Sequence, residues 1–144
     1  MTSFTSKYGN PAADFQGAHV RARHRHGSIV VAVSGRIDGR NLADVKDYAS
    51  RFILAETPFV LDLSAVTAFT STATGLFDAI DTRCAAAGVD WAVIPGEVVA
   101  SRLRGRAGAA ELPVIGSVAE AEHQFDDAVL KRRRMLLPLL RKSA

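Results

Sequence analysis

The sequence predicts an α/β fold, a mixed and largely parallel β-sheet of about five strands packed with about four helices. Three observations predict it. Short apolar, β-branched runs recur at residues 29–33, 59–63 and 91–94, each of strand length. Segments with apolar residues at helical spacing lie between and after them. Gly or Pro punctuates most of the junctions. Strands that alternate with helices need crossover connections, and crossovers make parallel pairs.

Residues 1–17 carry Ser, Thr, Gly, Asn and Pro with few large apolar groups, which predicts a flexible N-terminal leader. Residues 18–25 alternate, with Val20 and Ala22 to one side and Arg21 and Arg23 to the other, the period of a half-buried strand. His26-Gly27-Ser28 marks a turn, and the run 29–33 completes a hairpin. After Gly35-Arg36-Ile37-Asp38-Gly39, Asn41 stands at a helix-cap position with Asp44 three residues on. Leu42, Val45, Ala49, Phe52 and Ile53 then predict a helix over 42–55, ended by Glu56-Thr57-Pro58. Phe59-Val60-Leu61-Asp62-Leu63 is apolar enough for a central strand and leads into the Ser/Thr-rich turn 70–74. A helix over 72–87 carries Leu76, Ala79, Ile80, Cys84 and Ala87 on one face, and Gly88 terminates it. The strand 91–94 closes at Pro95-Gly96. Val98, Val99 and Leu103 give a short helix that passes into a flexible stretch, 105–110. Pro113-Val114-Ile115 is a short last strand. Ser117 and Glu120 form a capping-box pair for a final helix with Val118, Ala121, Phe125 and Val129 on its apolar face.

Composition narrows the function classes. A chain of 144 residues fits one domain, here 18–130, followed by a basic and apolar extension, 131–144. The single cysteine, Cys84, excludes an internal disulfide and a cysteine-based metal site, so a reducing, cytoplasmic setting is expected. No apolar run approaches the roughly 20 residues that span a bilayer, and residues 1–17 lack the order of a signal peptide. The formal net charge of +3 is unevenly spread: residues 131–144 hold six cations and no acid, and removing those six leaves −3 over residues 1–130. A nucleic-acid reader usually shows a basic face across its fold, so no nucleic-acid partner is expected. In the extension, four cations precede Met135-Leu136-Leu137-Pro138-Leu139-Leu140. That segment can pack on the domain, make a homodimer contact or touch an anionic membrane surface. Pro138 opposes one continuous helix.

No catalytic constellation can be assembled. His24 and His26 share one strand face but lack a third metal ligand and read as solvated. Asp62 and Asp38 each have two readings, catalytic acid or turn organiser. Gly105 to Gly108 lacks a Lys-Ser/Thr pair and is a poor phosphate loop. With no nucleophile–base pair, metal set or phosphate loop, the expectation is a binding module without cofactor or metal rather than a small α/β enzyme.

The joint order of four elements resembles the STAS family, the domain of bacterial anti-sigma factor antagonists, from about Ile29 to Phe125. These are Gly35-Arg36-Ile37-Asp38 after the second strand, Leu61-Asp62-Leu63-Ser64 at the central strand, Thr70-Ser71-Thr72-Ala73-Thr74-Gly75 opening a helix, and Val114-Ile115 followed by Ser117 and Glu120-Ala121. The resemblance implies phosphorylation at Ser71 by an anti-sigma factor that is also a kinase. The unphosphorylated form would bind that factor and free its sigma factor. It further implies a partner-binding surface of Asp38, Thr70, Ser71, Thr72, Thr74, Gly75 and Asp78. Two residues depart from the family pattern: Thr70 replaces an Asp and Ala73 a Gly.

The expected switch has a simple physical basis. Free N–H groups and the dipole at a helix N-terminus favour negative charge. A phosphate there adds about −1.5 to −2 charges at pH 7, tolerated by the domain and ruinous to a desolvated contact. Ser and Thr at a helix start also serve as plain N-caps. A second reading, favoured by Thr70 and Ala73, is a STAS module without phosphoregulation that senses a ligand or assembles a regulatory complex.

Overall fold

The β-branched stretch of β4 (Ser28–Ile37) occupies the inside of a six-stranded sheet, where its side chains are covered on both faces. The computed structural model describes residues 2–5, 11–25, 27–104 and 112–127, the first of these as backbone alone. His26, the stretch 105–110, Val129 and the extension 131–144 lie outside the described residues.

In chain order the elements are β1 (Thr2–Thr5), β2 (Pro11–Phe15), β3 (Ala18–Arg25), β4, α1 (Leu42–Ser50), β5 (Phe59–Phe69), a single 3-10 turn (Thr72–Thr74), α2 (Gly75–Ala87), β6 (Trp91–Ile94) and α3 (Gly96–Leu103). A last helix, α4, is described over residues 118–127. The strands lie in sequence order. The sheet is mixed: β1 to β4 pair antiparallel, whereas β4–β5 and β5–β6 are parallel through the crossovers α1 and α2. The expected last strand is reduced to one parallel bridge, Val93 to Val114.

Residues 11–15, expected within a flexible leader, instead form β2 and bury Ala12, Ala13 and Phe15. Both residues of the Gln16-Gly17 turn have positive φ, 45° and 102°. That geometry matches the twist of a tight hairpin. Gly17 O then receives the Arg36 amide at 2.9 Å. Gly35, at φ +87°, sits so close that a Cβ there would lie 2.1 Å from Gly17 O, so only glycine fits.

Two apolar layers cover the sheet. Val31, Val33, Leu61, Leu63 and Val93 face the larger one, which takes Val45, Ala49, Leu76, Ile80 and Val99 from α1, α2 and α3. Val30, Val60, Ala92 and Ile94 face the smaller one, closed by Ile115, Ala121 and Phe125. α1 is shorter than the 42–55 expected from periodicity. After Ser50 the chain tightens into i→i+3 bonds at Arg51, Phe52 and Ile53, and it turns at Glu56 with φ 67°. Gly88 ends α2 in the left-handed conformation, as expected.

Candidate functional site

β5 runs six residues past its expected end, to Phe69. The reason is a bulge: β4 and β5 stay paired through a register shift between Ala32 and Ser34, opposite Asp62 and Ala65. Leu63 and Val66 both enter the larger core, and Ser64 and Ala65 between them are exposed. Asp62 Oδ1 holds this kink by accepting from Ser64 N at 3.0 Å and Ser64 Oγ at 2.6 Å. Asp62 is therefore a backbone organiser.

The extended strand delivers the Ser/Thr-rich turn to the end of the sheet. Thr70 N donates to Ile37 O at 3.2 Å, the last rung to β4. The chain then coils, with Ala73 N to Thr70 O at 3.0 Å and Thr74 N to Ser71 O at 3.3 Å. Thr74 Oγ1 also donates to Ser71 O, at 2.7 Å. Ser71 itself is exposed, has helical φ and ψ of −60° and −35°, and makes no side-chain capping bond. An N-cap needs extended backbone to swing its oxygen back over the first turn. The plain capping role thus falls away, and the hydroxyl faces solvent. Thr72 is exposed, Thr74 half-buried. The methyl of Ala73 is fully buried in the larger core. Thr70 Oγ1 is buried with no hydrogen-bond partner among the described residues.

Asp38 approaches from the β4–α1 loop. Its Oδ1 accepts from Arg40 N at 2.9 Å, and its Oδ2 pairs with Arg36 Nε at 3.0 Å. A Cβ on neighbouring Gly39 would lie 4.0 Å from Thr72 Cγ2, so this loop rests beside the turn. Asn41, read as a cap, makes no capping bond. Fully buried, it donates to Phe15 O at 3.0 Å and Arg36 O at 2.7 Å and accepts from Asp38 N at 3.0 Å. It ties the β2–β3 hairpin to the loop that carries Asp38.

Gly75 and Asp78 continue the surface along α2. A Cβ on Gly75 would meet Leu42 at 3.8 Å, in ordinary contact, so α1 and α2 lie close there. Asp78 is exposed in the first turn of α2, where the helix dipole favours an acid. Asp81, one turn on, is engaged by Trp91 Nε1 at 3.0 Å. Between the two helices runs an open groove of about 680 Å³, lined by Gly75, Asp78, Ala79, Thr82 and Arg83 of α2 and by Lys46 of α1. Sequence reasoning missed Lys46, Thr82 and Arg83. The signal was present: Gly75, Ala79, Thr82 and Ala86 recur at helical spacing as small side chains. It also missed Arg102 of α3, whose Nε donates to Phe69 O at 2.8 Å at the base of the turn.

The remaining candidates are not drawn in. His24 is exposed on β3, away from the turn. Among the described residues no cluster of His, Cys, Asp and Glu could hold a metal ion. Cys84 is buried in the larger core, and burial together with the nearby Asp81 carboxylate pushes its thiol up to about 12. Among the described residues no helix is long and apolar enough to cross a membrane.

Comparison with known proteins gives a consistent picture. The family model of the STAS domain matches residues 19–121. Osmosensory protein A of Mycobacterium tuberculosis (strain ATCC 25618 / H37Rv) is 38% identical over 146 residues, covering 99% of this chain and 92% of that protein. Among solved structures, an anti-sigma factor antagonist from Mycobacterium paratuberculosis superposes with a TM-score of 0.63 at 18% identity, over 74% of this chain and 92% of that one. The anti-sigma factor antagonist SpoIIAA in its unphosphorylated form superposes with a TM-score of 0.61 at 11% identity, over 75% and 96%.

Proposed function

The chain belongs to the STAS domain family, and from that premise we propose that it is a regulatory protein-binding module of the anti-sigma factor antagonist type. It docks an anti-sigma factor over Asp38, Thr70, Ser71, Thr72, Thr74, Gly75 and Asp78, and phosphorylation of Ser71 by that kinase-like partner ends the contact. One observation carries the reading: Ser71 is exposed at the start of a helix yet spends its hydroxyl on no cap. A phosphate there meets the positive end of the α2 dipole and disturbs nothing buried. The name of the 38%-identical relative supports osmotic state as the input to the same module.

The two departures from the family pattern bear on a second reading, a module without phosphoregulation. Ala73 places its methyl in the core and leaves Ser71 untouched. Thr70 removes an acid beside the acceptor, which favours either a kinase with different recognition or no kinase.

Pull-down from the source cell with wild type and Ser71→Glu separates the two. The first reading expects a partner retained by wild type and lost with Glu, together with phosphate on Ser71 by mass spectrometry after incubation with the cognate kinase and ATP. The variant's melting temperature should stay within about 2 °C of wild type, as for a neutral surface change. A partner held equally by both proteins supports the second reading.

A further inference from the structure

The bulge in β5 leaves a small polar cavity of about 130 Å³ on the face of the sheet turned away from α1 and α2. His19 and Arg21 of β3, Ala32 and Ser34 of β4, and Asp62 and Ser64 of β5 line it. Register places Arg21, Ala32 and Asp62 in one row across three strands. Neighbouring strands lie about 4.8 Å apart, so the α-carbons of Arg21 and Asp62 stand about 10 Å from each other over the methyl of Ala32. The two charges form no ion pair with each other, nor with any other described residue. Ser64 occupies Asp62 Oδ1 and leaves Oδ2 unpartnered among the described residues. His19 Nδ1 is held by Asp14, which leaves Nε2 as the ring's second hydrogen-bonding atom.

We propose that this cavity binds a small zwitterion of the amino-acid class, with its carboxylate on Arg21 and its ammonium on Asp62. An anion alone would meet the Asp62 carboxylate, and a cation alone would meet the Arg21 guanidinium. A ligand bearing both charges satisfies both, and the guanidinium can take a carboxylate through two parallel hydrogen bonds. The small floor at Ala32 and the limited volume restrict the ligand to a short side chain. The site lies apart from the Ser71 turn and does not depend on it.

The test is an amide NMR titration of the full chain with glycine, alanine and proline, and with acetate and methylamine as single-charge probes. Expected are saturable shifts at Ala32, Ser34 and Ser64 for at least one of the three amino acids, with a Kd on the order of 1 mM. Asp62→Asn, which keeps an acceptor for Ser64, and Arg21→Gln, an exposed change, should each weaken binding about tenfold or more. Acetate and methylamine should not saturate. Three results overturn the proposal: no shift with any amino acid, acetate binding as tightly as glycine, or Arg21→Gln binding like wild type.

Discussion

Asn41 and Ser71 are small polar residues at the start of a helix, and the structure uses them in opposite ways. Asn41 is fully buried and bonds four backbone groups, from residues 15, 16, 36 and 38. Asn41→Ala leaves those groups unpaired, and an unsatisfied buried group costs about 1–3 kcal/mol. A loss of about 2–4 kcal/mol in urea unfolding is expected. The Ser71 hydroxyl makes no capping bond, so its substitution should leave the fold unchanged. Cys84 gives a pH prediction. Its thiol is neutral in the folded chain up to about 12, against an ordinary value of 9.0. Above pH 9 the unfolded chain releases this proton and the folded chain keeps it, so unfolding is favoured and stability falls as pH rises from 9 toward 12. Chemical denaturation at pH 8 and pH 10 should show the decline in wild type and less of it in Cys84→Ala. The polar character of Asn41 was legible in the sequence, but its buried bonds were not. Helix-cap patterns use neighbours three residues away, whereas Asn41 bonds a carbonyl 26 residues distant.

Among the elements, the strands 91–94 and 59–63 and the helix ended by Gly88 were legible because each has a clean period or a clear stop. β2 was not. Pro-Ala-Ala-Asp-Phe buries Ala12 and Ala13 in succession, which breaks the alternation that betrays a strand. The far half of β5 was hidden for a related reason: the bulge puts two exposed residues, Ser64 and Ala65, between inward-facing Leu63 and Val66, where strict alternation puts one. The turn of the candidate site depends on this bulge, since it carries the chain on to Thr70. Gly35 fastens the other side. Gly35→Ala demands both a left-handed backbone and space that Gly17 O already fills. It should lower stability by about 2–4 kcal/mol, and circular dichroism during heating would show the fall in melting temperature.

At the scale of the whole molecule, the two faces of the sheet are unequally dressed. Three helices close the larger layer, and the turn with its groove lies on that side. The other face has α4 over four strand residues, and beside it the cavity of His19, Arg21 and Asp62. The alternation of strands and helices made the layered plan legible in the sequence. The cavity was not, because its charges come from two strands, β3 and β5, far apart in the chain. The smaller layer also has a kinetic meaning. Ala121 and Phe125 are the described α4 side chains fully committed to it, joined by the Arg25–Glu122 pair at 3.0 Å. With so few anchors among the described residues, α4 is expected to open as a separate unit, with a smaller free-energy gap to release than the central strands. Native-state hydrogen exchange should find the amides of residues 121–127 exchanging through a local event, faster than those of β4 and β5. An undocked α4 would bare Val30, Val60 and Ile94, turning a quiet side of the domain into a transient apolar surface.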